Sequence, residues 1–472
     1  MDVSMFTATT IENSSYHDSV VLMRVASQLK KRTGVSEVAL FMGTQGNHEL
    51  LNQVGLTTPE SQGAGPEDLI IIVKAESEKL AEAITSQAVQ MLASRRDEVQ
   101  ATLEYRPRTL ERALEYLPRA SLASISIPGE YAAREASRCL DRNLNSFLFS
   151  DNVLLKDELK LKMKALDMGL LCMGPDCGTA SIGGVRLGFT NRVSRGRVGC
   201  VAASGTGLQA VMCRIDQLGE GVSHAIGVGG RDLSQEVGGL MSRYALQLLD
   251  EDPSTEIIVL LSKAPHPEVR ERLSETIKKL QTTVIVYFQG ERTFSVGEDQ
   301  AETLDGVAEL AVSYLQNKPY HPVSFGDPGQ VKELLERMGG TAEGQRIVGL
   351  YAGGTLAKEA QLLIQDLAGK VSSDVDDGHN HLVVDLGEDK YTVGKPHPMI
   401  APENRTDMLL SLAANEKLGN CGVLLFDLVL GNGSHLDPAT ELVSGLEVLN
   451  ESYGISLPVV AAVIGTEKDP QS

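Results

Sequence analysis

The apolar positions of this chain follow two rhythms, and the change comes near residue 120. In the first hundred residues, helix-spaced stretches at 18–31 and 77–94 are interleaved with short apolar runs at 38–42 and 69–73. That order predicts a small α+β domain over residues 1–105, with two helices on one sheet. Charged residues crowd 95–112, the expected linker. From residue 121 the rhythm becomes strand, helix, strand, with apolar strands at 122–127, 146–149 and 170–173 and helices at 129–140 and 156–168. Strands alternating with helices of about 10–15 residues predict a parallel sheet covered on both faces.

The pattern then repeats itself. The run Arg197-Val198-Gly199-Cys200-Val201-Ala202-Ala203-Ser204-Gly205-Thr206 returns without a gap as Arg346-Ile347-Val348-Gly349-Leu350-Tyr351-Ala352-Gly353-Gly354-Thr355. Each copy reads as a strand, a tight turn and a helix start, so two related α/β domains are expected to face each other across a cleft. The second copy reaches its fourth strand at 457–464, and its sheet is expected to lack a closing helix and strand.

Composition narrows the partners. The 472 residues carry a net charge of -20, with a pI near 5.0, which argues against nucleic acid or an anionic membrane as a partner. An anionic ligand must therefore be met by a local site. Residues 1–15 lack a signal-peptide pattern, no apolar run reaches membrane-spanning length, and the six cysteines form no C-x-x-C pair. A cytoplasmic protein with reduced, buried thiols is expected. No spacing of His, Cys and carboxylates matches a metal template, so no metal site is expected, and His379 and His381 read as solvated surface.

The candidate chemistry gathers in a few loops. Ser204, Gly205, Thr206 and Gly207 combine hydroxyls with a backbone that can approach an anion at a helix start, although a tight turn needs small residues in any case. Gly353, Gly354 and Thr355 repeat that chemistry. Gly431, Asn432, Gly433, Ser434 and His435 follow a second apolar strand, and the helix expected from about residue 438 would aim its start at the same ligand. Lys263, at the matching strand end of the first copy, offers a cation. Two prolines flank His397, which suits aiming an imidazole for proton transfer and equally suits a rigid turn.

Specific motifs carry a resemblance. Residues 121–312 resemble the α subunit of succinyl-CoA synthetase through Met173-Gly174-Pro175-Asp176-Cys177-Gly178, Gly227-Val228-Gly229-Gly230 and Asp252-Pro253-Ser254-Thr255-Glu256, and residues 346 onward resemble the carboxyl-terminal domain of its β subunit. With a small domain in front, the chain resembles the FdrA family, matching it at Phe149-Ser150-Asp151-Asn152, Gly230-Arg231-Asp232-Leu233-Ser234 and Lys395-Pro396-His397-Pro398-Met399-Ile400.

The resemblance implies an α/β protein of three or four domains. These are the α+β domain at 1–105, a Rossmann-like CoA-binding-type domain at 115–194, and flavodoxin-like domains at 195–325 and 345–472, the last of ligase-CoA type. It adds Asp151, Asn152, Asp176, Cys177, Gly229 and Gly230 as substrate-binding residues, beside Gly353, Gly354 and Thr355. The synthetases carry a phosphorylated histidine in the loop after the strand at 284–288, where this chain reads Gln289-Gly290-Glu291-Arg292-Thr293-Phe294-Ser295. An acid that holds that phosphohistidine is replaced by Lys263, and the nucleotide-binding half of the β subunit has no counterpart. The implied function is a subunit of a carbamoyltransferase acting on carbamoyl phosphate and oxamate in purine and allantoin catabolism, with partner subunits. The alternatives are an acid-CoA ligase-like enzyme and a non-catalytic metabolite-binding scaffold. Coenzyme A is the cofactor that the resemblance raises, and homo-oligomers are expected.

Overall fold

The computed structural model describes residues 5–15, 17, 19–100, 107–291, 300–322, 328–337, 344–392 and 396–472. The chain divides into two units, one of Met1–Arg119 with Glu388–Ala401 and the other of Ala120–Gly387 with Pro402–Ser472.

The first unit begins β1 (Phe6–Glu12), α1 (Ser19–Lys30), β2 (Val35–Met42), α2 (Gln45–Gln53), β3 (Leu69–Ala75), α3 (Glu78–Gln100) and α4 (Leu110–Tyr116). Its antiparallel sheet has the order β1-β3-β2. The central strand is apolar on both faces because both are covered. Leu69, Ile71 and Val73 pack with Leu22, Leu29 and Leu92, while Ile70 and Ile72 pack with Leu51 and Leu56. The helix α3 runs on to Gln100, into the segment expected as a linker. The charged residues there are good helix formers, and propensity favours continuation. Residues 101–106 of that segment lie outside the described residues.

In the second unit β4 (Leu122–Ile125), α5 (Gly129–Leu140), β5 (Asn145–Leu148), α6 (Leu155–Asp167) and β6 (Cys172–Met173) form a three-stranded parallel sheet. A hairpin follows, β7 (Thr179–Ile182) and β8 (Val185–Gly188). Its turn, Gly183-Gly184, has φ of 57° and 84°, which glycine adopts without strain. Periodicity does not predict these two strands, since Thr179-Ala180-Ser181-Ile182 and Val185-Arg186-Leu187-Gly188 are not apolar runs, and the Gly-Gly pair between them is the signal of the hairpin.

The first repeat copy is β9 (Val198–Ala202), α7 (Gly205–Gln217), β10 (Val222–Gly227), α8 (Leu240–Glu251), β11 (Ile257–Lys263), α9 (Pro267–Ile277), β12 (Thr283–Gln289) and α10 (Leu304–Leu315). After α11 (Pro328–Arg337), the second copy contains β13 (Arg346–Tyr351), α12 (Gly354–Leu367), β14 (Val371–Ser372) and β15 (His381–Asp385). The short α13 (Asp389–Thr392) belongs to the first unit. The copy resumes with α14 (Glu403–Ala414), β16 (Cys421–Val429), α15 (Pro438–Tyr453) and β17 (Val459–Ile464).

The two sheets are ordered β12-β11-β9-β10-β7-β8 and β14-β15-β13-β16-β17. Within them β10-β9-β11-β12 and β15-β13-β16-β17 are the same arrangement. The repeat in sequence is therefore a repeat in topology, with the duplicated strand central in each sheet. The hairpin β7–β8, although it precedes residue 195, pairs through β7 with β10 and belongs to the sheet of the first copy.

A candidate anion site at paired helix starts

Each duplicated strand ends in a turn that opens a helix, and the two helix starts meet. Ser204 caps α7, and its Oγ accepts a hydrogen bond from Gly207 N at 3.1 Å. Across the contact, Ser204 Oγ and Thr355 Oγ1 of α12 share a hydrogen bond of 2.5 Å. A Cβ placed on Gly353 would lie 2.9 Å from Thr206, and one on Gly207 would lie 2.9 Å from Thr355 Cγ2. Positions 204 and 206 of the first copy correspond to 353 and 355 of the second, so the contact is two-fold in character: 204 meets 355 and 206 meets 353. Glycine at 207 and 353 is what lets the helices approach this closely. The amides of Gly205 and Thr206 lie in the first turn of α7, where a helix supplies no acceptor of its own.

The two starts differ in charge. Asp427, on β16 and fully buried, accepts from Ala352 N at 2.7 Å and Gly353 N at 2.8 Å, and it pairs with buried Arg405 at 3.1 Å. Burial pushes its carboxyl above the usual range, and the Arg405 guanidinium and the two amides pull the other way. A Cβ on Gly354 would lie 2.5 Å from Asp385 Oδ2, so a second carboxylate flanks the same helix start. In the first copy the strand position of Asp427 is taken by Leu261, whose carbonyl accepts from Ala203 N at 3.1 Å. No described carboxylate bonds to Ser204, Gly205 or Thr206. The open positive end therefore belongs to α7. Beside the contact, Gln289 donates from Nε2 to Thr355 O at 2.6 Å.

The loop 431–435 leads into α15, which starts at Pro438 as expected, and the Asp437 carboxylate caps that start by accepting from Thr440 N at 3.0 Å. The helix whose start meets Ser204 is α12. Gly431, Asn432 and Gly433 pack on the segment after β8 instead. Asn432 N donates to Thr190 O at 3.0 Å, and a Cβ on Gly433 would lie 2.9 Å from the Phe189 ring. Gly431 N donates to Gln471 Oε1 at 3.0 Å. The Ser434 hydroxyl is buried without a partner. His435 Nδ1 accepts from Asp437 N at 3.1 Å, which leaves Nε2 to carry the proton of the neutral ring. This loop neighbours α7 all the same: Gln209 of α7 donates to Leu430 O at 3.3 Å, and Thr179 lies between Gly205 and Phe189 O.

Lys263 is the exposed last residue of β11, opposite Gln289, and it forms no ion pair among the described residues. His397 lies in the first unit, where its Nδ1 accepts from Met399 N at 3.2 Å. Lys395, which precedes it in the family motif, lies outside the described residues, as do Arg292–Ser295. His381, read as solvated surface, is instead wedged into the fold: Nδ1 accepts from Ile347 N at 3.0 Å and Nε2 donates to Ala368 O at 3.1 Å.

The expected substrate loops come together at the strand ends of β5, β6 and β10. Asp176 N donates to Ser150 O at 2.9 Å, beside exposed Asp151 and Asn152. A Cβ on Gly229 would strike Pro175 O at 2.3 Å, and one on Gly230 would lie 3.7 Å from Asp176 Oδ2. The thiol of Cys177 is buried among them and pushed up to about 12 by desolvation, which keeps it from being a nucleophile.

Beneath the loops lies a residue that the sequence did not betray. Lys162 is fully buried and donates to Glu158 at 2.8 Å, Asp232 Oδ1 at 2.9 Å and Val228 O at 2.9 Å. It ties α6 to the loop carrying Gly229 and Gly230.

Two duplicated α/β sheets joined through their helix starts define the class, a succinyl-CoA synthetase-like protein with CoA-binding and CoA-ligase segments. Residues 193–290 match the model of a CoA binding domain, and residues 350–472 match that of CoA-ligase. The former falls on the first repeat copy.

The chain belongs to the FdrA family. It is 36% identical to the uncharacterized protein YahF of Escherichia coli over 98% of this chain and 92% of that one. It is 26% identical to the α subunit of the ADP-forming succinate–CoA ligase of Aquifex aeolicus, over 36% of this chain and 57% of that subunit. The dinucleotide-forming acetyl-coenzyme A synthetase 1 of Ca. Korarchaeum cryptofilum, solved with phosphate and ADP, is 16% identical with a TM-score of 0.30 over 74% of this chain and 75% of that one, a likeness too low to bear on the site.

Residues 5–107 match the model "AllF, heavy metal-associated domain". Heavy metals of that kind favour soft thiolates. The first cysteine of this chain is Cys139. His48 Nε2 is bonded to Ala64 O at 2.9 Å, and no cluster of three metal-ligating residues occurs among the described residues. The donor set does not fit a heavy metal.

No helix of the described residues is long and apolar enough to cross a membrane.

Proposed function

We propose that this chain is an acyl-transferring protein of acid–CoA ligase type, which holds the phosphoryl group of an acyl phosphate at the start of α7, against Thr355 of α12. The observation that carries this reading is the Ser204–Thr355 pair over a helix start free of carboxylates. A helix start bears about half a positive charge, and donors aimed at a leaving phosphate are worth roughly 3 kcal/mol each in the transition state. The nucleophile attacks the acyl carbon and the bond from that carbon to the phosphate oxygen breaks. Phosphate leaves with the electron pair, and a base takes the nucleophile's proton. Lys263 is assigned to an anionic oxygen, His435 to proton movement, and the loops of Asp151, Asp176 and Gly229 to the rest of the substrate.

With coenzyme A as acceptor the product is a thioester, the reading that the CoA-binding and CoA-ligase matches support. A narrower reading takes carbamoyl phosphate and oxamate to oxalurate and phosphate. It is favoured by the loop after β12, since no histidine occurs between Gln289 and His321 to receive the phosphoryl group. In either reading the chain works in the cytoplasm with partner subunits, as a homo-oligomer.

The test is to supply acetyl phosphate with coenzyme A, and carbamoyl phosphate with oxamate, with and without proteins encoded beside it, and to follow products by mass spectrometry. A thioester supports the first reading and oxalurate the second. No product in any combination overturns both.

A further inference from the structure

The second copy of the duplicated turn already holds an anion, one built into the chain. We propose that Asp427 is an internal substitute for a ligand anion at the start of α12, so that the chain binds one external anion, at α7, and uses the other turn to hold α12 in place. Consecutive backbone amides that converge on one carboxylate form an anion-binding concavity. Ala352 N and Gly353 N converge on the two oxygens of Asp427 at 2.7 and 2.8 Å. The carboxylate is wholly enclosed, and Arg405 supplies the counter-charge from α14 through Nη1, which also donates to Asp427 O.

The first copy has nothing of the kind. At the register position of Asp427 it has Leu261, which offers only a backbone carbonyl. The asymmetry divides the labour between two otherwise equivalent turns. One is closed by the protein's own carboxylate and made rigid, and the other is left to a ligand. Asp427 is thus a positioning residue, since Gly353 is the cap of α12 and Thr355 presents its hydroxyl to Ser204 from the first turn of that helix. The count of one external anion rests on the proposed reading of α7; the role of Asp427 does not.

The experiment replaces the carboxylate by one in solution. Asp427→Gly leaves a carboxylate-sized void lined by two amides and the Arg405 guanidinium. Sodium formate should raise the thermal midpoint of this variant by several degrees over equimolar sodium chloride and restore its phosphate affinity. The wild type and the void-filling Asp427→Asn should show no formate-specific change. If the glycine variant does not fold, Asp427→Ser carries the same comparison. Isothermal titration of the wild type with inorganic phosphate should give one site per chain.

A folded Asp427→Gly or Asp427→Ser variant indifferent to formate, or two phosphate sites in the wild type, overturns the proposal. Formate rescue in the variant, with no phosphate binding in the wild type, upholds Asp427 as the internal anion and sinks the reading of α7.

Discussion

Replacing Glu359 of α12 by glutamine should stabilise the protein at alkaline pH and leave it unchanged in acid. Glu359 reaches from the second copy to the first, where its Oε1 accepts from Leu304 N at 2.7 Å at the start of α10. Burial dominates its ionisation, the Leu304 amide opposes the effect, Asp305 adds to it, and the pKa is pushed up from 4.5 to about 7. Below pH 4.5 both folded and unfolded chains carry the proton, and the residue does not alter their balance. As the pH rises from 4.5 to about 7 the unfolded chain is ionised while the folded one still holds the proton, so the folded state loses stability across that window and the loss is complete above it. The rise from 4.5 to about 7, with each tenfold change in proton affinity worth 1.36 kcal/mol, sets the full effect at about 3 kcal/mol above pH 8.

Glutamine keeps an oxygen for Leu304 N and has no charge to bury. Thermal unfolding of wild type and Glu359→Gln from pH 4.5 to 8.5 should give midpoints that coincide at the acid end and diverge by several degrees at the alkaline end. A constant difference across the range would refute the reasoning, since it would show that the carboxylate never titrates in the folded state near neutrality.

Other outcomes follow from single contacts. Gly353→Ala should cost about 1–3 kcal/mol and weaken phosphate binding, because its Cβ would sit 2.9 Å from Thr206 and push the helix starts apart; urea unfolding and phosphate titration check both. Lys162→Met should cost about 3–5 kcal/mol, since it leaves Asp232 buried without a cation and Glu158 with Arg231 alone. The double change Lys162→Met with Glu158→Leu should recover part of that loss in the same unfolding experiment. Cys177 should resist alkylation by iodoacetamide at pH 8 in the folded protein, and rapid labelling would contradict its buried, protonated state.

Much of the fold is legible in the sequence because its pattern repeats. The runs of β9 and β13 differ residue by residue but share an apolar strand that leads into Ala-x-Gly-Thr, and the strand order around them is the same. The hairpin β7–β8 escaped because its strands are four residues each, too short for periodicity to speak above their glycine turn. Ser204 and Thr355 were both legible as helix-start residues. That they bond to each other was not, since the pairing crosses 151 positions and depends on how two domains pack.

Asp427 did leave a trace: one acid stands inside the otherwise apolar run Val423-Leu424-Leu425-Phe426-Asp427-Leu428-Val429. A charge in a covered strand must find a partner, so that residue marks a buried ion pair in advance. Lys162 left none, because lysine on a charged helix ordinarily faces water.

The central claim is that α7 opens on an anion, and phosphorus NMR tests it most directly by titrating acetyl phosphate into the wild type and Ser204→Ala, with folding of the variant verified by circular dichroism. The wild type should bind saturably and the variant roughly tenfold more weakly, the loss of about 1.4 kcal/mol expected of one charge-assisted hydrogen bond. Equal affinity in the two proteins, or no binding to the wild type, would contradict it.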